Sequence, residues 1–295
     1  MKFIQKIFYI FISLYFIIIL LYFLYNKDIF YSSFRLIIKL WFEKLVPSIS
    51  ISYIVSIFLI NYPSISYLLY PIFKSIFNFE NRKACSLFLV SVIVGNPTST
   101  KLINTAVEKK EITENEGNRL LTFSCFISTP FLYAMFDFYT FIFILAIELI
   151  TSLIISLISS NKIKISKSIS QTNYNNTILS TYFEIVNFLP SLLLSILASM
   201  LICNTISIFI SNPFVKSLFE ITNGLNILTN LKQTIYSCFF IHILIFSHGL
   251  ALILQVYWII KKSSLSFVTF IKYRLIAVII SLINLSIIYL FLLFF

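Results

Sequence analysis

Glu220 lies in the densest group of hydrogen-bonding side chains within an apolar part of this chain. Thr222, Asn223 and Asn226 follow it, with Gly224 between the two asparagines. An ionised carboxylate at bilayer depth costs roughly 2.5–3.5 kcal/mol on insertion scales, so such a residue persists where it is paired, hydrated or functional. The group has the donors and acceptors to bind a ribose, a base edge or a cation. The alternative is a structural carboxylate that caps the amide end of a neighbouring half-helix.

A second polar stretch interrupts the apolar sequence between positions 84 and 107. It consists of Gly95, Asn96, Pro97, Thr98, Ser99 and Thr100. Glycine and proline so close together break a helix, and the freed backbone groups are tolerated at membrane depth only inside protein or beside a wet cavity. The helix before the break is about 18 Å long against roughly 30 Å of hydrocarbon, so it cannot span alone. The hydroxyls begin a second half-helix with a partly positive amide end, an arrangement typical of transporter substrate sites.

Two shorter interruptions add candidate binding residues. Ser128 and Thr129 end one helical run, and His248 and Gly249 split another. Gln255 stands alone among aliphatic residues about two turns after the second break, where its amide can face a cavity or another helix. We predict that these residues and the two polar stretches line one substrate site.

The other titratable residues are interpreted structurally. Glu148 is near the middle of a predicted span over 131–158, where it can carry a coupling proton or, as we favour, hydrogen-bond within the bundle. Asp137 is predicted to be interfacial. Cys238 and His242 would share a helix face, as metal ligands do, but two ligands do not make a site, so we expect a packed histidine. Because no nucleotide loop, zinc quartet or nucleophile elbow occurs in the sequence, we expect no catalytic residue, cofactor or metal and no enzyme activity.

The composition is that of a multi-pass helical membrane protein. Of 295 residues, 59% are hydrophobic and 11% are charged, and this length allows roughly six to nine spans. The net charge of +11 comes from basic residues in short loops and at helix ends. Cytoplasmic loops and anionic lipid headgroups explain that charge better than nucleic acid does. The four cysteines lie far apart inside apolar runs and are expected to be buried thiols.

The order of segments divides the chain into an anchor and two halves. Residues 1–32 form a predicted N-terminal transmembrane anchor, 33–160 a first repeat, 161–177 a polar linker and 178–295 a second repeat. The first half is predicted to contain an interfacial amphipathic segment over 34–44, a span that Pro47 begins, an interfacial or re-entrant segment over 64–79, and a capping box of Thr113 and Glu116. In the second half a long helix over 178–210 comes first, and a loop marked by Lys261, Lys262, Lys272 and Arg274 precedes the last span.

The two halves match in plan. Each has a long entering helix, two interrupted segments and a long closing helix. The interruptions fall at Gly95 and Ser128 in the first half and at Gly224 and Gly249 in the second. Paired interrupted segments at corresponding places indicate an internal repeat around a central site. The predicted fold class is all-α, a polytopic helical membrane protein with two repeats that contain broken or re-entrant helices.

The stretch Gly95–Leu102, with Glu111–Thr113 and Arg119–Leu121, resembles sporulation integral membrane proteins of the YlbJ type. So does the stretch Phe219–Leu225, followed by Gly249 and Gln255. That family belongs with the Gate, or nucleoside-recognition, domain group, which is similar to segments of concentrative nucleoside transporters and ferrous iron transporters. The resemblance covers about residues 33 to 280. One departure is that Phe126-Ile127-Ser128-Thr129-Pro130 stands where such proteins usually carry an Asn-Asn-Ser-Gly-Pro-like element.

The resemblance implies a Gate-type, transporter-like protein of sporulation in the bacterial cytoplasmic membrane. It would bind a small polar solute, such as a nucleoside, between paired broken helices, with membrane lipids, a coupling ion and a second copy of the chain as further partners. One alternative is a divalent cation permease, because Glu220, His248 and the hydroxyls can line an ion path. Another is a scaffold or sensor that kept the fold without transport.

The charges predict a topology. Lys2 and Lys6 should be cytosolic, with Lys109 and Lys110 on the same side, because short basic loops stay inside. We expect cysteines introduced at Lys6 and Lys109, in a variant without native cysteines, to resist a membrane-impermeant thiol reagent in intact cells and to react after permeabilisation. Reaction of either cysteine in intact cells would contradict this topology.

Overall fold

The computed structural model describes residues 2–62, 64–79, 81–160, 177–231 and 234–294. Within these ranges the chain forms α-helices and one π-helical segment and contains no strand. The helices are α1 Lys2–Tyr25, α2 Lys27–Leu40, α3 Val46–Asn61, α4 Ser64–Phe77, α5 Arg82–Val94, α6 Thr98–Glu108, α7 Glu114–Phe123, α8 Thr129–Met135, α9 Phe138–Ser160, α10 Ile178–Ser207, α11 Pro213–Ser217, α12 Ile221–Asn230, α13 Ile235–Ser247, α14 Gly249–Ile260 and α15 Phe267–Phe294. The predicted all-α fold class is confirmed. The predicted linker falls outside the described residues, except for Thr177, the N-cap of α10.

Five helical stretches in these ranges are long and apolar enough to cross a membrane. They are Lys27–Asn61, Phe138–Ser159, Ile178–Ser207, Ile235–Ile260 and Phe267–Leu290. The stretch Tyr9–Tyr25 of α1 is apolar as well. Leucine, isoleucine and aromatic side chains are exposed along α1, α9, α10 and α15, as expected of faces that meet lipid. The chain is a multi-pass helical membrane protein.

The amphipathic segment and the span after it form one continuous helix. α2 passes through the π-helical segment Trp41–Leu45 into α3, so the prediction that Pro47 begins a separate span is wrong. Pro47 has no N–H to donate, which normally interrupts a helix. Here the wider π-helical turn, in which the N–H of Val46 bonds to the carbonyl of Trp41, carries the helix past the proline.

The predicted span over 131–158 consists of two helices, α8 and α9. Asp137 lies in the break between them, is exposed, and accepts the N–H of Thr140 at 3.1 Å. Hydrogen bonds from the side chain and the N–H of Thr140 lower the pKa of Asp137 below its ordinary value. A local cap therefore begins α9 at this point, which the apolar run alone did not reveal. The Thr113 cap is present as predicted, because its hydroxyl accepts the N–H of Glu116 at 3.1 Å.

Three smaller predictions are also wrong. Lys272 and Arg274 belong to α15 rather than a loop, and Arg274 is buried because it bonds to carbonyls of a broken helix. Gly224 lies inside α12, so the third interruption falls before Glu220 rather than at the glycine. Cys238 is exposed on α13, whereas the other three thiols are buried. Cys238 lies in an apolar run because the outer face of α13 is apolar, not because the residue belongs to the core.

The two halves pack against each other along their length. α15 lies against α7 and α9, α10 against α3, and α14 against α6. In each half the backbone of one broken helix also bonds to that of the other. The N–H of Asn96 donates to the carbonyl of Phe126 at 2.8 Å, and the N–H groups of Leu250 and Ala251 donate to the carbonyls of Leu218 and Phe219 at 2.8 and 2.9 Å. Both halves share this pairing, while the internal repeat itself stays a prediction.

Arg119 closes the end of α4 from inside the protein. Its guanidinium donates to the carbonyls of Phe77 and Asn78 and pairs with Glu116 at 3.2 Å. Both members of the ion pair are buried. Because the last carbonyls of a helix have no partner in that helix, the arginine supplies donors that water supplies at an exposed helix end.

Candidate functional site

One cavity of about 40 Å³ lies where the broken helices meet. Seven of the residues predicted for the site line it: Asn96, Pro97, Thr98, Ser128, Glu220, Thr222 and Gln255. The rest of the lining is apolar: Leu45, Ile49, Val94, Ile127, Phe131, Ile196, Ile221, Ala251 and Leu252. The cavity therefore has few polar groups, and these come from both halves of the chain.

The first break presents Asn96 to the cavity. The hydroxyls of Ser99 and Thr100 donate to its Oδ1 at 2.8 and 2.7 Å. The amide nitrogen of Asn96 has no hydrogen-bond partner among the described residues, although the side chain is more than nine-tenths buried. A buried donor without an acceptor carries a desolvation cost of about 1–3 kcal/mol. Ser99 and Thr100 thus orient the Asn96 amide, and its nitrogen, which lies beside the Cys125 thiol, is a donor that a ligand can use.

Gly95 lets the second break cross directly over the first. Its φ is +63°, and a Cβ at this position would lie 2.2 Å from the backbone nitrogen of Ser128. Ser128 and Thr129 begin α8 there, and their hydroxyls bond to the carbonyls of Ile93 and Val92 at the end of α5. These two residues therefore satisfy carbonyls that the break leaves open. Of the two, Ser128 also lines the cavity.

Glu220 is the N-cap of α12 and lines the cavity. Its Oε1 accepts the N–H of Thr222 at 2.9 Å, and its Oε2 accepts the N–H of Asn223 at 2.6 Å. The structural alternative predicted for this carboxylate is present, with the difference that Glu220 caps its own helix. Each carboxylate oxygen can accept a second hydrogen bond, so the cap leaves acceptor capacity for a ligand.

The remaining predicted residues divide between supporting and peripheral positions. Gln255 bonds to Ser199 of α10 and reaches the cavity from α14. Gly249, with φ of +66°, follows the break and packs against the carbonyl of Leu218. Gly224 packs against the carbonyl of Ser217, where a Cβ would be 2.3 Å away.

Asn223, Asn226 and His248 lie outside the cavity lining. Asn226 accepts from Asn230 on the same helix. His248 adopts a left-handed conformation between α13 and α14, and its ring stacks on that of Phe270 at 6.2 Å. The histidine defines the break, and neither of its ring nitrogens has a hydrogen-bond partner among the described residues, although the side chain is buried.

Glu148 and Arg274 hold the second break from outside the cavity, and sequence reasoning did not give them this role. Glu148 Oε1 accepts the N–H of Ile127 at 3.1 Å. Arg274 donates to the carbonyls of Thr122 at 2.7 Å and Cys125 at 2.9 Å. A spacing signal for Arg274 exists, because it continues a buried face of α15 formed by Phe270, Ala277 and Ser281.

No group of three or more His, Cys, Asp and Glu side chains lies close enough to hold a metal ion within the described ranges. His242 contacts the carbonyl of Cys238 at 2.9 Å through Nδ1, while the Cys238 thiol is exposed. His242 therefore contacts the backbone carbonyl of Cys238 and not its thiol, although the two residues share a helix face.

No protein-family model, curated protein or solved structure matches the chain. Any solute of this protein must therefore be identified from the residues that line the cavity and from binding experiments.

Proposed function

We propose that the chain is a transporter-like protein that binds a small polar solute in the cavity between its broken helices. The observation that carries this proposal is the meeting of Asn96, Ser128, Glu220 and Gln255, from four separate segments, around one cavity. Polar groups at membrane depth are costly and mark solute pathways in membrane proteins. The resemblance to YlbJ-type proteins adds a nucleoside-like solute and a sporulation setting in the bacterial cytoplasmic membrane to the proposal.

The charge of the cavity favours a neutral solute over a divalent cation. The N-termini of α6 and α12 both begin at the lining, with Thr98 and Ile221 as first residues. Each helix N-terminus carries roughly half a positive charge, so the two together offset the single carboxylate of Glu220. A divalent cation would then meet no excess negative charge, whereas hydroxyl and amide groups would find Asn96 as donor and Glu220 as acceptor.

The size of the cavity indicates a closed state. A water molecule needs a cavity of about 10–15 Å³, so this cavity of about 40 Å³ admits only a few water-sized groups. Pockets for ligands of drug size measure about 300–1,000 Å³. Binding of a nucleoside-sized solute therefore requires a wall of the cavity to move, as alternating access requires of any carrier.

Uptake of labelled nucleosides and other small polar solutes into proteoliposomes tests the proposal. We expect saturable uptake of at least one solute by wild-type protein and a loss of at least about tenfold on Glu220→Asp. Aspartate is a good N-cap and keeps the charge, so the variant should match wild type in thermal stability while its shorter side chain withdraws from the cavity.

Glu220→Gln complements this variant. Glutamine has one carbonyl oxygen in place of the two carboxylate oxygens that each accept one N–H of α12 and it lacks the negative charge, so stability should fall by about 1.5–3 kcal/mol, less the relief of removing a buried charge. Glu184→Gln on α10, outside the lining, is the matched control. Full uptake by a stable Glu220→Asp protein would remove Glu220 from the solute site. Metal-dependent uptake would favour the cation permease, and absence of uptake with wild-type protein would favour the scaffold.

A further inference from the structure

Residues 124–128 form one wall of the cavity. The hydrogen bonds that fix this wall differ from those that fix the other walls. Asn96 and Glu220 adjoin the first turns of α6 and α12, so their backbones are fixed by those helices. Residues 124–128 belong to no helix, although all are buried. A helix is held by its own backbone hydrogen bonds, whereas this segment depends on hydrogen bonds from other parts of the chain and is released when those bonds are lost.

Side chains of two spanning helices bond to this wall and to the end of α7 directly before it. From α9, Glu148 accepts the N–H of Ile127, and Ser152 donates to the carbonyl of Phe123 at 2.7 Å. From α15, Arg274 donates to the carbonyls of Thr122 and Cys125. The Glu148 carboxylate and the Arg274 guanidinium therefore both hold the wall, together with the N–H of Asn96, which donates to the carbonyl of Phe126.

These contacts leave Glu148 and Arg274 only partly satisfied. Glu148 Oε2 and Arg274 Nε have no hydrogen-bond partner among the described residues, and both side chains are about 95% buried. The two side chains form no direct ion pair within 4.0 Å in that part of the chain. Glu148 bonds to the N–H of Ile127 and Arg274 to the carbonyl of Cys125. Displacement of the wall would therefore take a hydrogen-bond partner from each of these charged side chains.

We propose that residues 124–128 are the moving wall of the cavity and that Glu148 and Arg274 are the positioning residues that hold it closed. The inference rests on the proposed function, because the closed cavity must enlarge to admit a solute. It adds which wall moves and what restrains it. Ile127 and Ser128 face the cavity, so release of the wall enlarges the solute site directly.

The test measures exposure of the wall without any solute. Ser128→Cys is introduced into a variant in which all four native cysteines are replaced, and the rate of alkylation by a maleimide is followed in detergent and in liposomes. We expect slow reaction with both positioning residues present. Glu148→Gln or Arg274→Gln should each raise the rate on the order of tenfold, which corresponds to about 1.4 kcal/mol.

Matched variants separate this effect from general destabilisation. Lys272→Gln changes an exposed cation on the same helix as Arg274, and Glu184→Gln changes a carboxylate outside the cavity. Both should leave the rate unchanged. A second reporter, Tyr139→Cys, which replaces a residue 84% exposed, should react equally in every variant.

The double variant Glu148→Gln/Arg274→Gln decides whether these residues act by hydrogen bonding or only by balancing charge. A rate that stays high supports the proposal, and a return to the wild-type rate overturns it. A folded Arg274→Gln protein with the wild-type rate of alkylation also overturns it.

Two milder variants are used where Arg274→Gln gives no monodisperse protein. Arg274→Lys and Ser152→Ala each remove fewer of the hydrogen bonds at this wall. Faster alkylation in either supports the proposal, and an unchanged rate in both overturns it. Failure here would leave solute uptake, measured separately, unaffected.

Discussion

Replacing Gly95 by alanine is expected to prevent the protein from folding. The new Cβ would lie 2.2 Å from the backbone nitrogen of Ser128 and 2.6 Å from the carbonyl carbon of Ile127, and these are backbone atoms that cannot rotate away. The φ of +63° adds the strain of a left-handed conformation. We expect a loss of more than about 4 kcal/mol, seen as aggregation on detergent extraction.

Gly117→Ala is the control for this substitution. Gly117 is also buried, but its Cβ would meet the side-chain ends of Val107 at 2.6 Å and Leu265 at 3.0 Å, which can move. Alanine in the helix also gains about 1 kcal/mol in propensity over glycine. The thermal stability should therefore stay within about 1 kcal/mol of wild type. A Gly95→Ala protein as stable as the Gly117→Ala protein would show that the two breaks do not cross at this point.

Replacing Arg119 by methionine should give the second large loss of stability. Glu116 would keep its buried carboxylate without the guanidinium, and the carbonyls of Phe77 and Asn78 would lose their donor. Removing one partner of a buried ion pair typically costs about 3–5 kcal/mol. The midpoint of thermal unfolding in detergent, followed by light scattering or by tryptophan fluorescence, measures the effect.

Two further variants assign the cause of that loss. Glu116→Gln with Arg119→Met also removes the carboxylate charge that has lost its arginine and should recover part of the stability, while the end of α4 remains uncapped. Arg119→Lys keeps the charge but cannot reproduce the planar fork of donors, so we expect an intermediate value. A single Arg119→Met variant with the stability of wild type would mean that water reaches the end of α4 and caps it instead.

The broken helices could be predicted from the sequence because their causes are local. Gly95 and Pro97 cannot continue a helix, and Thr113 marks a helix start three residues before its partner. The polar residues could be assigned to one site because polar side chains are costly at membrane depth and persist mainly where they are paired or functional. The polar cluster after Glu220 indicated a break, but the prediction put that break at Gly224, whereas the helix begins directly after Glu220.

The bonds that hold those breaks could not be predicted, because their acceptors and donors are distant backbone atoms. Arg274 bonds to carbonyls about 150 positions earlier in the chain, and a backbone carbonyl leaves no mark in the sequence. The same reason hides Arg119, whose acceptors are the last carbonyls of α4. The continuous helix through Pro47 was missed because a π-helical turn depends on packing rather than on residue type.

The contacts of Arg274 have a consequence for how the chain is made. α15 leaves the ribosome after the whole of the first half, yet its arginine supplies donors to the carbonyls of Thr122 and Cys125 in that half. Until α15 has been inserted, those peptide groups lack their native partners. The N-terminal half therefore cannot reach its final form during synthesis, as independent domains do. A nonsense mutation before α15 would leave an unfinished membrane protein for quality-control proteases, not a working N-terminal module.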